Sequence, residues 1–341
     1  WGDAYCSTDL AAYDFMFSTV YETPFVVDET TTVLPIALTF RPLMARIGMK
    51  LALGANETPK YVTFTTDDNV LPTAGTVNAD GTFSASALTN SLTVETDRKE
   101  FTVGLLPVGV VSKMSVHVTT TDGMTYSDKS FQLAGLKRNT HYTMNVPCRT
   151  KRFMLTVPDG VNSKYGTGTY GDNGFFQVEP QYDPESIFDG WHFLRSEIKS
   201  DKDAADGDVL KNRNRIQLQA VSLGTNRAQN GAFVTPPIQC DGTKTVTVSF
   251  TAATNKLTVG SVQYRIGVTN NGADISENFL RSFDNIQSSL EGECPWKHSG
   301  SVSRTHTFTV TNGQRIMMKV YSSGGGTPCH LELADFTYTV E

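Results

Sequence analysis

The loop SDKDAADGD carries side chains that could bind a metal ion. Its four aspartates, Asp201, Asp203, Asp206 and Asp208, lie within eight positions, and Gly207 lets the chain turn between them. Ca²⁺ takes roughly six to eight oxygen ligands, which clustered carboxylates and backbone carbonyls can supply. The spacing departs by one residue from the start of an EF-hand loop, and the glutamate of the twelfth position is missing. The loop is therefore a candidate Ca²⁺ site, with a solvated acidic turn as the alternative.

Two tryptophans could stack on a sugar ring. Trp296 is flanked by Pro295, Lys297 and His298 in a loop-like context, and an exposed aromatic ring beside polar side chains is the usual arrangement in carbohydrate sites. Trp191 stands in an apolar strand context, DGWHF, where packing in the core is the alternative. We take Trp296, Lys297, His298 and Trp191 as the candidate ligand-binding residues.

The sequence shows no arrangement typical of an active site. The six histidines are scattered, and there is no GxSxG elbow, no HExxH and no strand-linked GxGxxG. The five cysteines form no CxxC pair and have no histidine at zinc spacing. Paired glycosidase carboxylates, which can be distant in sequence, are the remaining enzymatic alternative. We predict a non-catalytic protein with no cofactor other than the candidate Ca²⁺.

The net charge of −6 lies entirely in the N-terminal segment. The first 40 residues contain six acids and no Lys or Arg, which leaves the other residues balanced at 29 acids against 29 bases. No basic surplus is available for nucleic acid or an anionic membrane, so we expect neither as a partner. The sequence has no apolar stretch of about 18 residues that could span a membrane. It starts at Trp1, which we interpret as a mature form with its signal removed.

Short alternating segments run through most of the chain and predict an all-β protein. Residues 1–33 mix aromatics and acids without a period, which predicts an extended arm. Segments such as YVTFTT and MSVHVTT, separated by turns such as NADG and TTDG, predict a β-sandwich over residues 34–149. The basic cluster in VPCRTKR marks a hinge, and further strands predict a second sandwich over residues 150–341. One short helix is predicted in ISENFLRSFDNIQSSL.

Four segments of the first sandwich resemble the fimbrillin family of Bacteroidales surface proteins. They are LTFRPLMARIGMKLAL, VLPTAGTVNADGTF, FTVGLLPVGVVSKMSVHVTTTDGMTYSDKS and LAGLKRNTHYTMNV. They are similar to the family's kinked opening strand, its Leu-Pro-x-x-Gly turn, its Asp-Gly-x-x-Tyr hairpin and its Leu-x-Arg-Asn-x-x-Tyr lead into the last strand. The resemblance implies a transthyretin-like β-sandwich pilin, held in the outer membrane as a lipoprotein, whose groove accepts a strand donated by the next subunit.

The kinked stretch LPIALTFRPLMARIGMKLAL, residues 34–53, is where this resemblance makes a specific prediction. Its two alternating apolar faces are interrupted at Arg41-Pro42, and a proline has no N–H to give to a strand ladder. The resemblance implies that the sheet is left open here for another chain, and an ordinary closed core strand is the alternative.

The resemblance also bears on processing. Stalk members of the family are trimmed after an arginine, but the arm has no basic residue before Arg41. Arg41 or Arg46, within or beside an apolar strand, would have to serve as the processing site. This departure favours a terminal subunit over a stalk subunit.

The second sandwich resembles the jelly-roll modules of secreted carbohydrate-binding and adhesive proteins, through DGWHF, IQLQA, GAFVTPPIQCDGTKTVTVSFTAA and CHLELADFTYTV. The two resemblances imply a tip-type fimbrial subunit or adhesin at the cell surface. It would join other fimbrial subunits by strand complementation and bind a glycan or host surface ligand with its second domain. The alternative is a free-standing surface lipoprotein that binds glycans for polysaccharide capture.

Overall fold

The structure is a computed structural model of the chain. It describes residues 6–7, 16–18, 40–78, 82–127, 130–157, 159, 162–165, 190–200, 210, 212–220, 230–255, 261–270, 272–295, 300–323 and 329–341. The chain forms two compact units. The first takes Trp1–Leu53, Thr58–Thr121 and Thr125–Arg149, and the second takes Gly54–Glu57, Asp122–Met124 and Thr150–Glu341. Two short loops of the N-terminal half therefore belong to the second unit.

The first unit contains thirteen strands among its described residues. They are β1 (Cys6–Ser7), β2 (Met16–Ser18), β3 (Phe40–Pro42), β4 (Ala45–Leu51), β5 (Pro59–Thr66), β6 (Leu71–Val77), β7 (Phe83–Thr89), β8 (Ser91–Glu95), β9 (Glu100–Leu105), β10 (Val111–Thr120), β11 (Thr125–Ser127), β12 (Phe131–Leu133) and β13 (His141–Val146).

These strands form a sandwich of two sheets. In one sheet the order is β1-β9-β4-β13, with β13 parallel to β4 and the other pairs antiparallel. In the other, β10 lies between β5 and the two short strands β11 and β12, and β8 pairs with β5. Successive side chains of a strand point to opposite faces, so Met114, Val116 and Val118 of β10 are all buried in the core. The pairs β2–β3 and β6–β7 are separate two-stranded ribbons.

The kinked segment is a closed strand, and the expectation of an open edge there is wrong. β3 ends at Pro42, which lies opposite Met16 of β2, and β4 begins at Ala45. β4 then pairs with β9 on one side and with β13 on the other, so both of its edges are occupied. The interruption at Pro42 therefore separates a ribbon from a central strand. Residues 34–39 lie outside the described residues.

The second unit contains twelve strands and one helix among its described residues. They are β14 (Lys151–Met154), β15 (Asn162–Tyr165), β16 (His192–Leu194), β17 (Ser196–Lys199), β18 (Arg215–Ala220), β19 (Ala232–Val234), β20 (Thr243–Asn255), β21 (Ser261–Val268), α1 (Glu277–Arg281), β22 (Gln287–Pro295), β23 (Val302–Thr311), β24 (Ile316–Ser323) and β25 (Cys329–Val340).

The second unit is also a sandwich of two sheets. One sheet has the order β16-β19-β24-β21-β22. The other is built around β25, which pairs with β20 on one side and with β18 and then β14 on the other. β17 and β15 extend it beyond β18, and β23 extends it beyond β20. The facing side chains form one apolar core that is rich in aromatic rings. The predicted fold class, an all-β protein with a fimbrillin-like sandwich followed by a jelly roll, is confirmed.

The predicted short helix covers the outer face of the five-stranded sheet. The side chain of Ser276 caps α1 by accepting a hydrogen bond from the backbone N–H of Phe279 at 3.2 Å. Leu280 of α1 packs with Leu194 and Met317 in a small cluster of its own. No helix in the described part of the chain is long and apolar enough to cross a membrane.

Candidate functional site

The last strand of the first unit has one edge to which no described strand is paired. β13 pairs in parallel with β4 over its whole length, and it ends the order of its sheet. Its side chains alternate in burial: Tyr142 and Met144 are half-buried and Val146 is buried, whereas His141 and Thr143 are exposed. The inward side chains of this edge are therefore apolar, while its backbone can pair with one more strand.

β12 is the corresponding edge of the other sheet. It pairs with β10 through Leu133 opposite Val111 and Phe131 opposite Met114. Phe131 and Leu133 are half-buried against the core, and Gln132 between them is exposed. Within the described residues, both sheets of the sandwich thus end with half-buried apolar side chains.

A groove of about 380 Å³ lies between these two edges. We call it the β12–β13 groove. Its deepest residues are Ile47, Val116 and Leu136, each no more than 2 % exposed. The other lining residues are Phe131, Gln132, Leu133, Tyr142, Thr143, Met144, Asn145 and Val146. All eleven side chains are uncharged at neutral pH, so an apolar partner meets no buried charge here.

The loop between β12 and β13 forms one end of the groove, and hydrogen bonds fix its backbone. Gly135 has a φ of 109°, and a Cβ at this position would lie 3.1 Å from the carbonyl oxygen of Val108, so glycine is required. The next residue, Leu136, exchanges two backbone hydrogen bonds with Val108, at 2.9 and 3.1 Å. The backbone N–H of Lys137 donates to the hydroxyl oxygen of Tyr142 at 2.9 Å. The segment LAGLKRNTHY is therefore the part of the sequence that shapes the groove.

The groove is suited to an extended segment with alternating apolar side chains. The backbone edge of β13 offers N–H and C=O groups for strand addition, and Ile47 and Val116 can contact the inward side chains of such a segment. β13 has six residues, so a strand of similar length fits beside it.

The comparison with known families covers this part of the chain. Residues 3–159 match the family described as fimbrillin-like. The match contains all four segments on which the resemblance was based, and it confirms that resemblance. No curated protein matches the sequence.

The similarity of this chain to solved structures is weaker. The K1 cleaved adhesin domain of Lys-gingipain from Porphyromonas gingivalis W83 has 12% identity and a TM-score of 0.30, covering 53% of this chain and 96% of the domain. The C-terminal CBM6 of LamC from Zobellia galactanivorans has 8% identity and a TM-score of 0.26, covering 49% of this chain and 99% of the module. Since both TM-scores are low, the function proposed below rests on the groove and on the fimbrillin-like match.

Trp191, one of the candidate ligand residues, lies in the core of the second unit. It is 2 % exposed, and its ring contacts those of Phe153, Phe193, Phe233 and Phe336 at centroid distances of 5.1 to 6.1 Å. Trp191 is therefore packed in the core, which was the alternative to ligand binding. Neither face of its indole is accessible to a sugar. We therefore leave Trp191 out of the proposed ligand surface.

The other predicted ligand and metal residues lie outside the described residues. They are Trp296, Lys297 and His298 of the candidate ligand site and Asp201, Asp203, Asp206 and Asp208 of the candidate Ca²⁺ site. Among the residues that the structure does describe, no group of three or more His, Cys, Asp or Glu side chains is arranged to hold a metal ion. The Ca²⁺ hypothesis stays a prediction, and equal melting temperatures in millimolar Ca²⁺ and in chelator would remove it.

The two candidate processing residues have different surroundings. Arg41 is exposed in β3, opposite Phe17 of β2, and is followed by Pro42. Arg46 is half-buried in β4, where it lies between Gly104 of β9 and His141 of β13. The bond after Arg41 is a proline imide, and the bond after Arg46 lies in a central strand.

We expect an arginine-specific protease to leave both bonds intact in the folded chain. A proline after the scissile bond has a fixed φ and no N–H, which makes it a poor fit to an extended protease subsite. The bond after Arg46 becomes accessible only when β4 leaves its sheet. Mass spectrometry of a native digest should therefore show no fragment starting at Pro42 or Ile47. Cleavage at either position, with the rest of the first unit intact, would contradict this expectation.

The groove residues were missed by the sequence analysis. HYTMNV was read only as a strand, and its alternation is the same for an edge strand and a central strand. The useful signal was Gly135 followed by Leu136, because a glycine between two strands marks a close backbone approach.

Proposed function

We propose that this chain is a non-catalytic, tip-type fimbrial subunit or adhesin at the cell surface, anchored as an outer-membrane lipoprotein or within a fimbrium. The first unit attaches to other fimbrial subunits by taking a donated strand into the β12–β13 groove. The second unit presents a ligand-binding face, with a glycan as the candidate ligand. The observation that carries the proposal is the apolar groove between two sheet edges to which no described strand is paired, in the part of the chain that matches the fimbrillin-like family.

Strand addition would satisfy both chemical features of the groove. The backbone of β13 gains hydrogen bonds along an edge where no described strand is paired. The half-buried side chains of Phe131, Leu133 and Met144 lose their remaining contact with water. Backbone pairing supplies affinity, and the spacing of the pockets fixes the register of the donated strand.

The surroundings of the bonds after Arg41 and Arg46 agree with a subunit at the end of a fibre. The bond after Arg41 is a proline imide and the bond after Arg46 lies in a central strand, so trimming of the arm after arginine is disfavoured. A subunit whose arm is not trimmed after arginine differs from the stalk members of the family, which favours a position at the end of a fibre.

The test is binding of extended peptides taken from the terminal segments of candidate fimbrial subunits. We expect a peptide with alternating apolar residues to bind, and Met144→Glu to weaken that binding at least about tenfold, because a carboxylate would be buried in an apolar groove. His141→Glu is the matched control: it lies on the exposed face of the same strand and should bind as the wild type does. Equal binding by both variants, or failure of every peptide to bind, would contradict strand acceptance at this groove.

Fractionation of cells separates the proposal from the free-standing glycan-binding lipoprotein. Recovery of the chain in sheared fibres of high molecular weight supports the fimbrial role. Recovery only as a monomer, together with binding to polysaccharide, supports the alternative.

A further inference from the structure

Three ionisable side chains meet in the interior of the second unit. Lys151, the first residue of β14, has its Nζ 2.7 Å from Oδ2 of Asp122 and 2.9 Å from Oε1 of Glu57. The side chains of Lys151 and Asp122 are each 1 % exposed, and that of Glu57 is 6 % exposed. One amine thus lies between two carboxylates and is shielded from water.

The backbone fixes the Asp122 carboxylate against the amine. The N–H of Met124 donates to Oδ1 at 3.2 Å, and the N–H of Gln239 donates to Oδ2 at 3.0 Å. Lys151 Nζ also donates to the carbonyl oxygen of Gln239, which holds the end of the lysine chain in place. Two backbone donors therefore point at the oxygens of a carboxyl group that an amine already contacts.

Glu57 is fixed in the same way. Its Oε2 accepts a hydrogen bond from the backbone N–H of Gly54 at 2.8 Å, and its own N–H donates to the carbonyl oxygen of Gly54 at 3.2 Å. Its other carboxylate oxygen is the one that faces Lys151. Glu57 can accordingly exchange a proton with Nζ without any rearrangement of its loop.

The residues around this cluster exclude water from it. Met124 and Tyr338 are at most 1 % exposed. Amide formation needs a neutral amine and a neutral carboxyl group, and the passage of one proton from Lys151 to Asp122 supplies both without changing the net charge of the site. The products are a free amine and a carboxylic acid in contact, which are the two reactants of amide formation.

We propose that Lys151 and Asp122 form an intramolecular isopeptide bond, with Glu57 as the catalytic proton carrier. The lone pair of neutral Nζ attacks Cγ of protonated Asp122 and forms the C–N bond. Glu57 takes a proton from the nitrogen and returns it to the departing hydroxyl group. The C–O bond breaks and one water molecule leaves. The reaction needs no oxidant, reductant or further reactant.

The fixed groups supply the factors that such a reaction requires. The N–H groups of Met124 and Gln239 stabilise the negative charge that develops on the carboxyl oxygens during attack. Holding amine and acid in contact replaces an encounter in solution by a reaction within one site. The bond joins positions 122 and 151, so it closes a covalent loop that carries β12 and β13.

An exposed pair in the first unit provides an internal comparison. Lys113 and Asp67 are also within hydrogen-bond distance, 3.0 Å, but their side chains are 54 % and 63 % exposed. Water competes for both groups there, so the amine and the carboxyl group are not held together by a dry site. We expect this pair to remain an ion pair without a covalent bond.

The experiment is mass spectrometry of the full chain and of its tryptic peptides. We expect the intact protein to be lighter than its sequence mass by one water molecule. The peptide Met114–Lys129 should be joined to Thr150–Arg152, with no cleavage after Lys151, whereas Lys113 should be cleaved normally. Lys151→Arg, which keeps the charge but removes the nucleophile, and Glu57→Gln should both restore the full sequence mass in a chain whose circular dichroism is that of folded β structure.

Three outcomes would overturn the inference. The first is a wild-type chain with its full sequence mass. The second is loss of water without joined peptides, which a succinimide at Asp122-Gly123 would give and which would persist in Lys151→Arg. The third, joined peptides in Glu57→Gln at wild-type yield, would remove the role of Glu57.

Discussion

Replacing Lys319 by methionine is expected to stabilise the protein at neutral pH and to lose that advantage as the pH rises. Lys319 lies on β24 and is completely buried. Its Nζ donates to the carbonyl oxygen of Asn230 at 3.1 Å and lies 5.2 Å from the centre of the Phe283 ring. Burial, together with the nearby cations Arg281 and Arg195, lowers the pKa of Lys319 to about 7. Methionine fills a similar volume without a charge to bury.

The direction follows from proton binding in the two states. The unfolded chain holds the Lys319 proton up to the ordinary pKa of 10.5, whereas the folded chain releases it near pH 7. Between these values the unfolded state binds more protons, so the unfolding free energy of the wild type rises with pH. The rise is at most about 1.4 kcal/mol per pH unit. Below pH 7 the lysine is charged in both states and the full penalty of burial is present.

Urea unfolding at pH 7, 8 and 9 measures this effect. The difference in unfolding free energy between Lys319→Met and the wild type should shrink at each step. Lys319→Arg is the opposite control, because a guanidinium stays charged at all three pH values. It should be the least stable of the three proteins and show no convergence with Lys319→Met. A constant difference between wild type and Lys319→Met would mean that Lys319 does not titrate in this range.

The strands of both units could be predicted from the sequence because their signal is local. MSVHVTT alternates over its whole length, and the structure buries Met114, Val116 and Val118, whereas the residues between them are only partly buried. The short helix was also predictable, since Ser276 precedes it as a capping residue. In both cases the deciding residues lie within a few positions of one another.

The groove could not be predicted because it depends on strand order. β13 pairs with β4, which lies more than ninety positions earlier in the sequence. No residue of HYTMNV indicates whether a second strand pairs with the other edge of β13. The resemblance to fimbrillins implied an open edge in the kinked segment around Pro42, with a closed core strand as the alternative. The structure instead pairs the strand after Pro42 on both sides.

The buried cluster was missed for a related reason. Lys151 was read as part of a basic hinge, and Asp122 as the aspartate of a TTDG turn. Each interpretation agrees with the neighbouring residues in the sequence, because lysines are usually solvated and Asp-Gly is a common turn. The burial of both becomes apparent only when the loops around Glu57, Asp122 and Gln239 are brought together.

Replacing Trp191 by alanine is expected to lower the unfolding free energy of the second unit by about 3–5 kcal/mol. The indole is surrounded by four phenylalanine rings, so its removal leaves a cavity among rigid neighbours that cannot easily close it. Trp191→Phe keeps one aromatic ring and should recover most of the loss. Urea unfolding followed by circular dichroism measures the series without depending on tryptophan emission.

Trp296→Ala is the comparison that separates packing from ligand binding. The sequence predicts Trp296 in a loop, so its removal should leave the unfolding free energy nearly unchanged and abolish binding to any glycan that the second unit recognises. Trp191→Ala should show the reverse: a large loss of stability, with glycan binding retained at temperatures where the variant is folded. If Trp191→Ala were as stable as the wild type and failed to bind the glycan, the aromatic cluster would be a ligand site. Loss of stability alone assigns Trp191 to the core and leaves the ligand surface to the segment around Trp296.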